Sequence, residues 1–138
     1  MMNYQANSTS DTTEAWVVKN RLKLKELAKL QPDWHGGGAD PPNSKAIKLA
    51  NIGINCLKAL DFPPTLISPS IMGGIGISFV FKGGYADIEC FNEDGIVAVI
   101  AGRNNKPIVW DVTEDSDSHD TKMIMEALEK MRNHILQK

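Results

Sequence analysis

The stretch Ile75-Gly76-Ile77-Ser78-Phe79-Val80-Phe81-Lys82-Gly83-Gly84-Tyr85-Ala86-Asp87-Ile88-Glu89-Cys90 decides the fold class. Ile75, Ile77, Phe79 and Phe81 alternate with Gly76, Ser78, Val80 and Lys82, the period of two that a strand shows when one face meets a core. Gly83-Gly84 reads as a two-residue hairpin loop, because glycine enters the positive φ that such loops require. With Lys82 opposite Tyr85, Phe81 meets Ala86, Phe79 meets Ile88 and Ile77 meets Cys90, so one face of the hairpin is wholly apolar. The other face carries Ser78, Asp87 and Glu89 beside Val80 and Phe91.

Beyond the hairpin, Asn92-Glu93-Asp94-Gly95 predicts a turn into a strand over Ile96 to Ala101. That strand is apolar at every position and is expected to be covered on both faces. Asn104-Asn105 predicts another turn before a strand from Lys106 to Val112, and Thr65 to Ser70 is the candidate for a strand in front. The acidic run from Glu114 to Asp120 reads as a loop. A closing helix follows, with Ile124, Ala127, Leu128, Met131 and Ile135 on one stripe.

Before the strands come two helices. Met1 to Ser10 is polar and is expected to form a disordered tail. Asp11-Thr12-Thr13-Glu14 has the spacing of a capping box and predicts a helix running to about Leu30. Trp16, Val17, Leu24, Leu27 and Ala28 share one side of it, largely opposite Arg21, Lys25 and Lys29. Glycines and prolines between Gln31 and Pro42 forbid a regular element there. Asn43 or Ser44 then caps a second helix to about Leu60, whose wide stripe (Ile47, Ala50, Ile54, Leu57, flanked by Ala46, Leu49, Gly53 and Cys56) implies burial on most sides. Short turns join the strands, so the sheet is a meander and not a set of βαβ units. The expected fold is α+β: two N-terminal helices, an antiparallel four- to five-stranded meander sheet and a C-terminal helix, with residues 11–138 as a single domain.

Composition narrows the class. A chain of 138 residues, 42% hydrophobic and 23% charged, suffices for one core without disulfide or metal staples. A formal net charge of −2 lacks the basic excess of a dedicated nucleic-acid binder, so nucleic acid is not an expected partner. Cys56 and Cys90 lie in apolar stretches without CxxC spacing, as suits small hydrophobes in a reducing compartment. The N-terminal stretch has no basic start followed by an apolar run, and no stretch approaches the roughly 20 apolar residues of a membrane span. A cytoplasmic address with no membrane partner is the expectation.

Few motifs carry chemistry. His35-Gly36-Gly37-Gly38 resembles the oxyanion-hole loop of esterases, but no GxSxG nucleophile elbow accompanies it. A P-loop is absent, and Gly73-Gly74-Ile75-Gly76 lacks dinucleotide-binding spacing. Asp115, Asp117, His119 and Asp120 do not match a calcium loop and suit the N-terminal dipole of the helix that follows, so no metal and no cofactor is expected. Asp87 and Glu89, at i and i+2 on one strand face, are spaced for a paired acid–base site and equally for a solvated sheet face. Lys19, Arg21, Lys23, Lys25 and Lys29 form a basic helix face that could meet phosphate or an acidic protein, or simply face water.

Three stretches, Trp34-His35-Gly36-Gly37-Gly38-Ala39-Asp40-Pro41-Pro42, Gly73-Gly74-Ile75-Gly76-Ile77-Ser78-Phe79 and Ala86-Asp87-Ile88-Glu89-Cys90, occur in that order. In order and spacing they resemble an uncharacterised family of small bacterial proteins with W-D-G-x-G-A-x-P-P, G-G-I-x-L-E-W and L-x-I-E-I motifs. The resemblance covers roughly residues 24 to 100. His35 and Ser78 stand where the family pattern has aspartate and glutamate, which leaves Trp34, Gly36, Gly74 and Glu89 as matching candidates. It implies a bacterial cytosolic domain and no particular reaction.

With no catalytic set in view, the expected function is a non-enzymatic protein-interaction module, an accessory, antitoxin-like or immunity-like protein. Its mixed sheet face, with Val80, Tyr85 and Phe91, calls for a protein partner or self-association. The alternative is a small enzyme or ligand-binding domain using the Trp34–Gly38 loop with Asp87 and Glu89. The candidate site residues are therefore Trp34, His35, Gly36, Asp87 and Glu89.

Overall fold

Alternation along the central strands sorts side chains into two faces, and pairing extends each face across a sheet. In the computed structural model the elements are α1 (Met2–Leu27), α2 (Ser44–Leu60), β1 (Leu66–Ser70), β2 (Gly74–Phe81), β3 (Gly84–Phe91), β4 (Ile96–Gly102), β5 (Ile108–Asp111), a short 3-10 turn (Val112–Glu114) and α3 (Asp120–Leu136). The structure describes residues 2–93, 95–102, 106–114 and 119–137, with backbone alone for residues 2–11 and 114. Among them the fold is the α+β arrangement expected from the sequence: three helices and a five-stranded antiparallel meander in the order β1-β2-β3-β4-β5. The turn expected at Asn104-Asn105, Asp94 of the preceding turn, and Asp115 and Asp117 of the acidic run lie outside the described residues.

Register gives each face its rows. Ile67, Ile77, Ile88, Ala98 and Trp110 stand opposite one another across the five strands. Phe79, Ala86, Ile100 and Ile108 form the next inner row. All of these but Ile108, which is exposed at the sheet edge, share one core with Ile54 and Leu57 of α2 and with Ile124, Leu128 and Met131 of α3. Phe62, just after α2, stacks on Phe79 with ring centroids 5.0 Å apart. Burial of that apolar area is the main favourable term in folding the sheet against its helices.

The hairpin differs from its sequence reading by two residues. Phe81 pairs with Gly84, Phe79 with Ala86 and Ile77 with Ile88, so the loop is Lys82-Gly83 and not Gly83-Gly84. Gly83 alone takes a positive φ, +93°, at the position a type II turn reserves for glycine. Gly84 already belongs to β3, where a Cβ would collide with the carbonyl oxygen of Ala101 on β4. Two adjacent glycines thus serve two needs, a turn and a close strand approach. A shift of two preserves the face of every side chain, which is why the apolar pattern fits both registers.

Two further expectations are corrected. β4 is not covered on both sides: Ile96, Ala98 and Ile100 are buried, whereas Val97, Val99 and Ala101 are half-buried on the other face. The helix begins before the capping box, because α1 runs from Met2 through Asp11–Glu14. Residues 2–10, read as part of a tail, contain neither proline nor glycine, so nothing in them stops a helix from propagating once nucleated. Downstream, α2 begins as expected, with the Asn43 side chain accepting from the Ala46 N–H at 3.0 Å. It ends at Asp61, whose left-handed backbone lets its N–H reach the carbonyls of Leu57 and Lys58.

Gly84→Ala is expected to destabilise the protein by about 2–3 kcal/mol through overpacking. Gly83→Ala, which faces open space, should cost only the left-handed penalty of roughly 1 kcal/mol. Urea titration of both variants decides the register, since a larger cost at Gly83 would return the loop to Gly83-Gly84.

Candidate functional site

The outer sheet face is built by the same alternation that builds the core. Leu66, Ser78, Asp87, Val99 and Val109 form one outer row. Ser68, Gly76, Glu89, Val97 and Asp111 form the neighbouring row. Asp87 and Glu89 therefore project side by side from β3, as their spacing requires. At 7% exposure Asp87 is nearly lost to solvent.

Each carboxylate has a serine. Ser78 Oγ donates to Asp87 Oδ1 at 3.2 Å, and Ser70 Oγ donates to Glu89 Oε1 at 2.8 Å while accepting from the Met72 N–H at 3.1 Å. Gly76 sits between the pair, where a side chain would press on Asp87 Oδ1 and the Glu89 methylenes. Burial is the main force that raises the Asp87 carboxyl from 3.8 to about 6. The Glu89 charge and a hydrogen bond to Glu89 add to the rise, and the Ser78 hydrogen bond opposes it. The same burial, with the two carboxylates behind it, pushes the Tyr85 hydroxyl up. On the inner side of β3, burial and then Asp87 and Glu89 push Cys90 up to about 12, so this thiol is inert packing and not a nucleophile. Cys56 is likewise buried and raised.

The rim of this face is apolar and open. Val80 is 66% exposed, Val109 60%, Leu66 54% and Tyr85 41%. Val80, Tyr85 and Ala101 form a third row next to Asp87.

The Trp34–Gly38 loop lies elsewhere and closes on itself. Trp34 Nε1 donates to the Asp40 carbonyl at 3.1 Å, the Asp33 N–H to the Ala39 carbonyl at 2.9 Å, and the Gly38 N–H to the Asp33 carboxylate. Trp34 meets His35 edge to face, with centroids 5.3 Å apart. His35 is exposed, and Gly36 takes a φ of +83° that the turn needs. Trp34 is half-buried but does not belong to the core cluster, so it pins the loop and does not plug the interior.

Asn92 joins the loop to the sheet. Its side chain accepts from the Asn43 N–H at 2.8 Å and donates to the Pro41 carbonyl at 3.0 Å. Its own carbonyl accepts from Asn43 Nδ2 at 3.0 Å, and its N–H donates to the Gly73 carbonyl. A recess of about 410 Å³ beside it is lined by Asp40, Met72, Gly73, Phe91, Asn92 and Glu93. Among the described residues no hydrogen bond links the Trp34–Gly38 loop directly to Asp87 or Glu89.

Ser70, Ser78 and Asn92 escaped the sequence reading as functional or organising residues. The hairpin alternation places Ser78 on the face with Asp87, whereas Ser70 becomes visible only once β1 is paired to β2. Nothing in the sequence distinguishes Asn92 from any other turn asparagine. Among the described residues no three histidine, cysteine or acidic side chains converge as a metal site, and no helix is long and apolar enough to cross a membrane.

The folded protein holds the Asp87 proton between pH 3.8 and about 6, where the unfolded chain has released it. Its contribution therefore makes stability fall as pH rises through that window. Asp87→Asn should remove this part of the pH dependence and be more stable than wild type near pH 7 by on the order of 2 kcal/mol. Denaturant titration of both proteins at acid and neutral pH checks this, and a difference that stays constant with pH would contradict it. Trp34→Ala should cost about 1–2 kcal/mol, the scale of a lost hydrogen bond with partial burial and below the 3–5 of a core tryptophan. A melting curve of that variant tests the assignment.

Comparison of this chain with family models, with curated proteins and with solved structures finds no match to any of them.

Proposed function

We propose that this chain is a non-enzymatic protein-interaction module, an accessory protein of the antitoxin-like or immunity-like kind in a bacterial cytoplasm, and that its outer sheet face receives a basic partner protein. The observation that carries the reading is the carboxyl pair Asp87–Glu89 inside an exposed apolar rim of Leu66, Val80, Tyr85 and Val109. Surrounding apolar contacts that exclude water let a few central groups supply most of the energy of a binding face. The charge selects the partner. Ionising Asp87 at neutral pH works against its burial and against Glu89, and a lysine or arginine placed over the pair relieves both costs. A guanidinium could donate to both carboxylates through its forked set of N–H groups. The resemblance to small bacterial proteins supports the setting, and the absence of an elbow or triad motif supports a non-catalytic role.

An acid–base enzyme is the second reading, and the carboxyl raised to about 6 favours it. A substrate would need a cleft over the pair. The recess at this end of the sheet is lined by Asp40, Met72, Gly73, Phe91, Asn92 and Glu93, without either carboxylate.

Affinity capture from the native host tests the proposal. A partner held by the wild type is expected to be lost with Val80→Asp and weakened about tenfold or more with Glu89→Gln, the scale of one charge-assisted contact. Binding should be tighter at pH 7.5 than at pH 5, because deprotonated Asp87 attracts a cation and protonated Asp87 does not. A partner retained by both variants, or bound more tightly at pH 5, would refute the assignment.

A further inference from the structure

α1 has two apolar sides, and the core uses one of them. Val17, Leu24 and Leu27 are buried in the common core, and Arg21 Nη2 donates to Asn55 Oδ1 on α2. Val18 and Leu22 point elsewhere. They are spaced i and i+4, so they form a single patch, and each is 53% exposed. They line a groove of about 630 Å³ between α1 and β1, whose opposite wall includes Leu66, itself 54% exposed. That volume lies within the roughly 300–1,000 Å³ typical of binding pockets. β1 is an outer strand of the sheet, so its backbone beyond the groove has no strand partner.

Charge identifies the occupant. Lys19 and Lys23, again i and i+4, line the same groove and face a single acid there, Glu26. Among the described residues neither lysine forms an ion pair, whereas Glu14 lies 4.0 Å from Lys58. The local excess of positive charge runs against the net charge of −2 of the whole chain. A phosphate backbone would need more cations and no apolar floor. An amphipathic peptide places apolar side chains in such a groove and its charges on the rim.

We infer that the α1–β1 groove is a second docking site, and that it takes an acidic segment of a partner protein, with aliphatic side chains set on Val18, Leu22 and Leu66 and carboxylates on Lys19 and Lys23. This site adjoins the outer sheet face at Leu66, which belongs to both, and is opposite to it in charge preference.

Selection of a random peptide library displayed on phage against the full chain tests the inference. The enriched peptides should combine Asp or Glu with Leu, Ile or Phe. Their binding, read by fluorescence anisotropy, should weaken about tenfold or more in Lys19→Glu/Lys23→Glu and in Leu22→Asp, and should fall with added salt. Lys19 and Leu22 are exposed and Lys23 is half-buried, so both variants should melt near the wild-type temperature, and Val18→Ser provides a milder replacement if Leu22→Asp does not fold. Val80→Asp, on the outer sheet face, should leave peptide binding unchanged. The inference is overturned by failure to enrich, by enrichment of neutral or basic peptides, or by binding that survives the groove substitutions. Loss of binding in Val80→Asp would move the peptide to the outer face. Sedimentation showing copies of the chain joined through this groove, and separated by Leu22→Asp, would make the occupant a second copy and overturn the partner assignment.

Discussion

The pairing of β2 with β3 sets Ile75, Ile77 and Phe79 on the same side as Ala86, Ile88 and Cys90, and the remaining elements are arranged around that face. α2 packs on it with Ile54 and Leu57, and α3 completes the cover with Ile124, Leu128 and Met131. The approach is close enough that Gly53 of α2 faces the Ile77 side chain with little room for a Cβ. Disturbing the hairpin would therefore disturb helix docking as well, because close-packed interiors transmit strain.

A strand cannot bury one face without committing the other. Placing Ala86, Ile88 and Cys90 inward sends Asp87 and Glu89 outward, into a row with Ser78 and Val99 and a row with Gly76 and Val97. Burial there raises the Asp87 carboxyl, and the neighbouring Glu89 charge adds to the rise. The candidate site is in this sense a product of the core: the same period that makes the interior apolar concentrates the acids on a surface that the helices leave open.

The N-terminal part of the fold is tied on at few points. Asn92 holds the loop before α2, the start of α2 and the β2 end of the sheet together through side-chain and backbone hydrogen bonds. α1 is held by its buried stripe and by polar links to α2, including Thr13 Oγ1 to Asp61 Oδ1 at 2.6 Å. Its second apolar stripe is left beside β1, where it forms a groove instead of core.

By itself the sequence determined the fold class, the sorting of residues into faces, a cap for α2 at Asn43 or Ser44 and the inert placement of both cysteines, because each follows from local periodicity or local hydrogen bonding. It also put Asp87 and Glu89 side by side, since that depends only on the strand period. It did not determine the register, because a slip of two residues leaves every side chain on its own face, and the crowding of Gly84 against Ala101 involves a strand that the hairpin cannot see. Nor could it show that β4 is open on one side, since an all-apolar strand reads the same whether its second face meets a helix or a half-exposed row of valines. Only the tertiary structure set Ser70 beside Glu89 and Asn92 against the loop before α2. Those relations join residues distant in sequence, and distance in space is set by how strands pair and helices dock, not by local pattern.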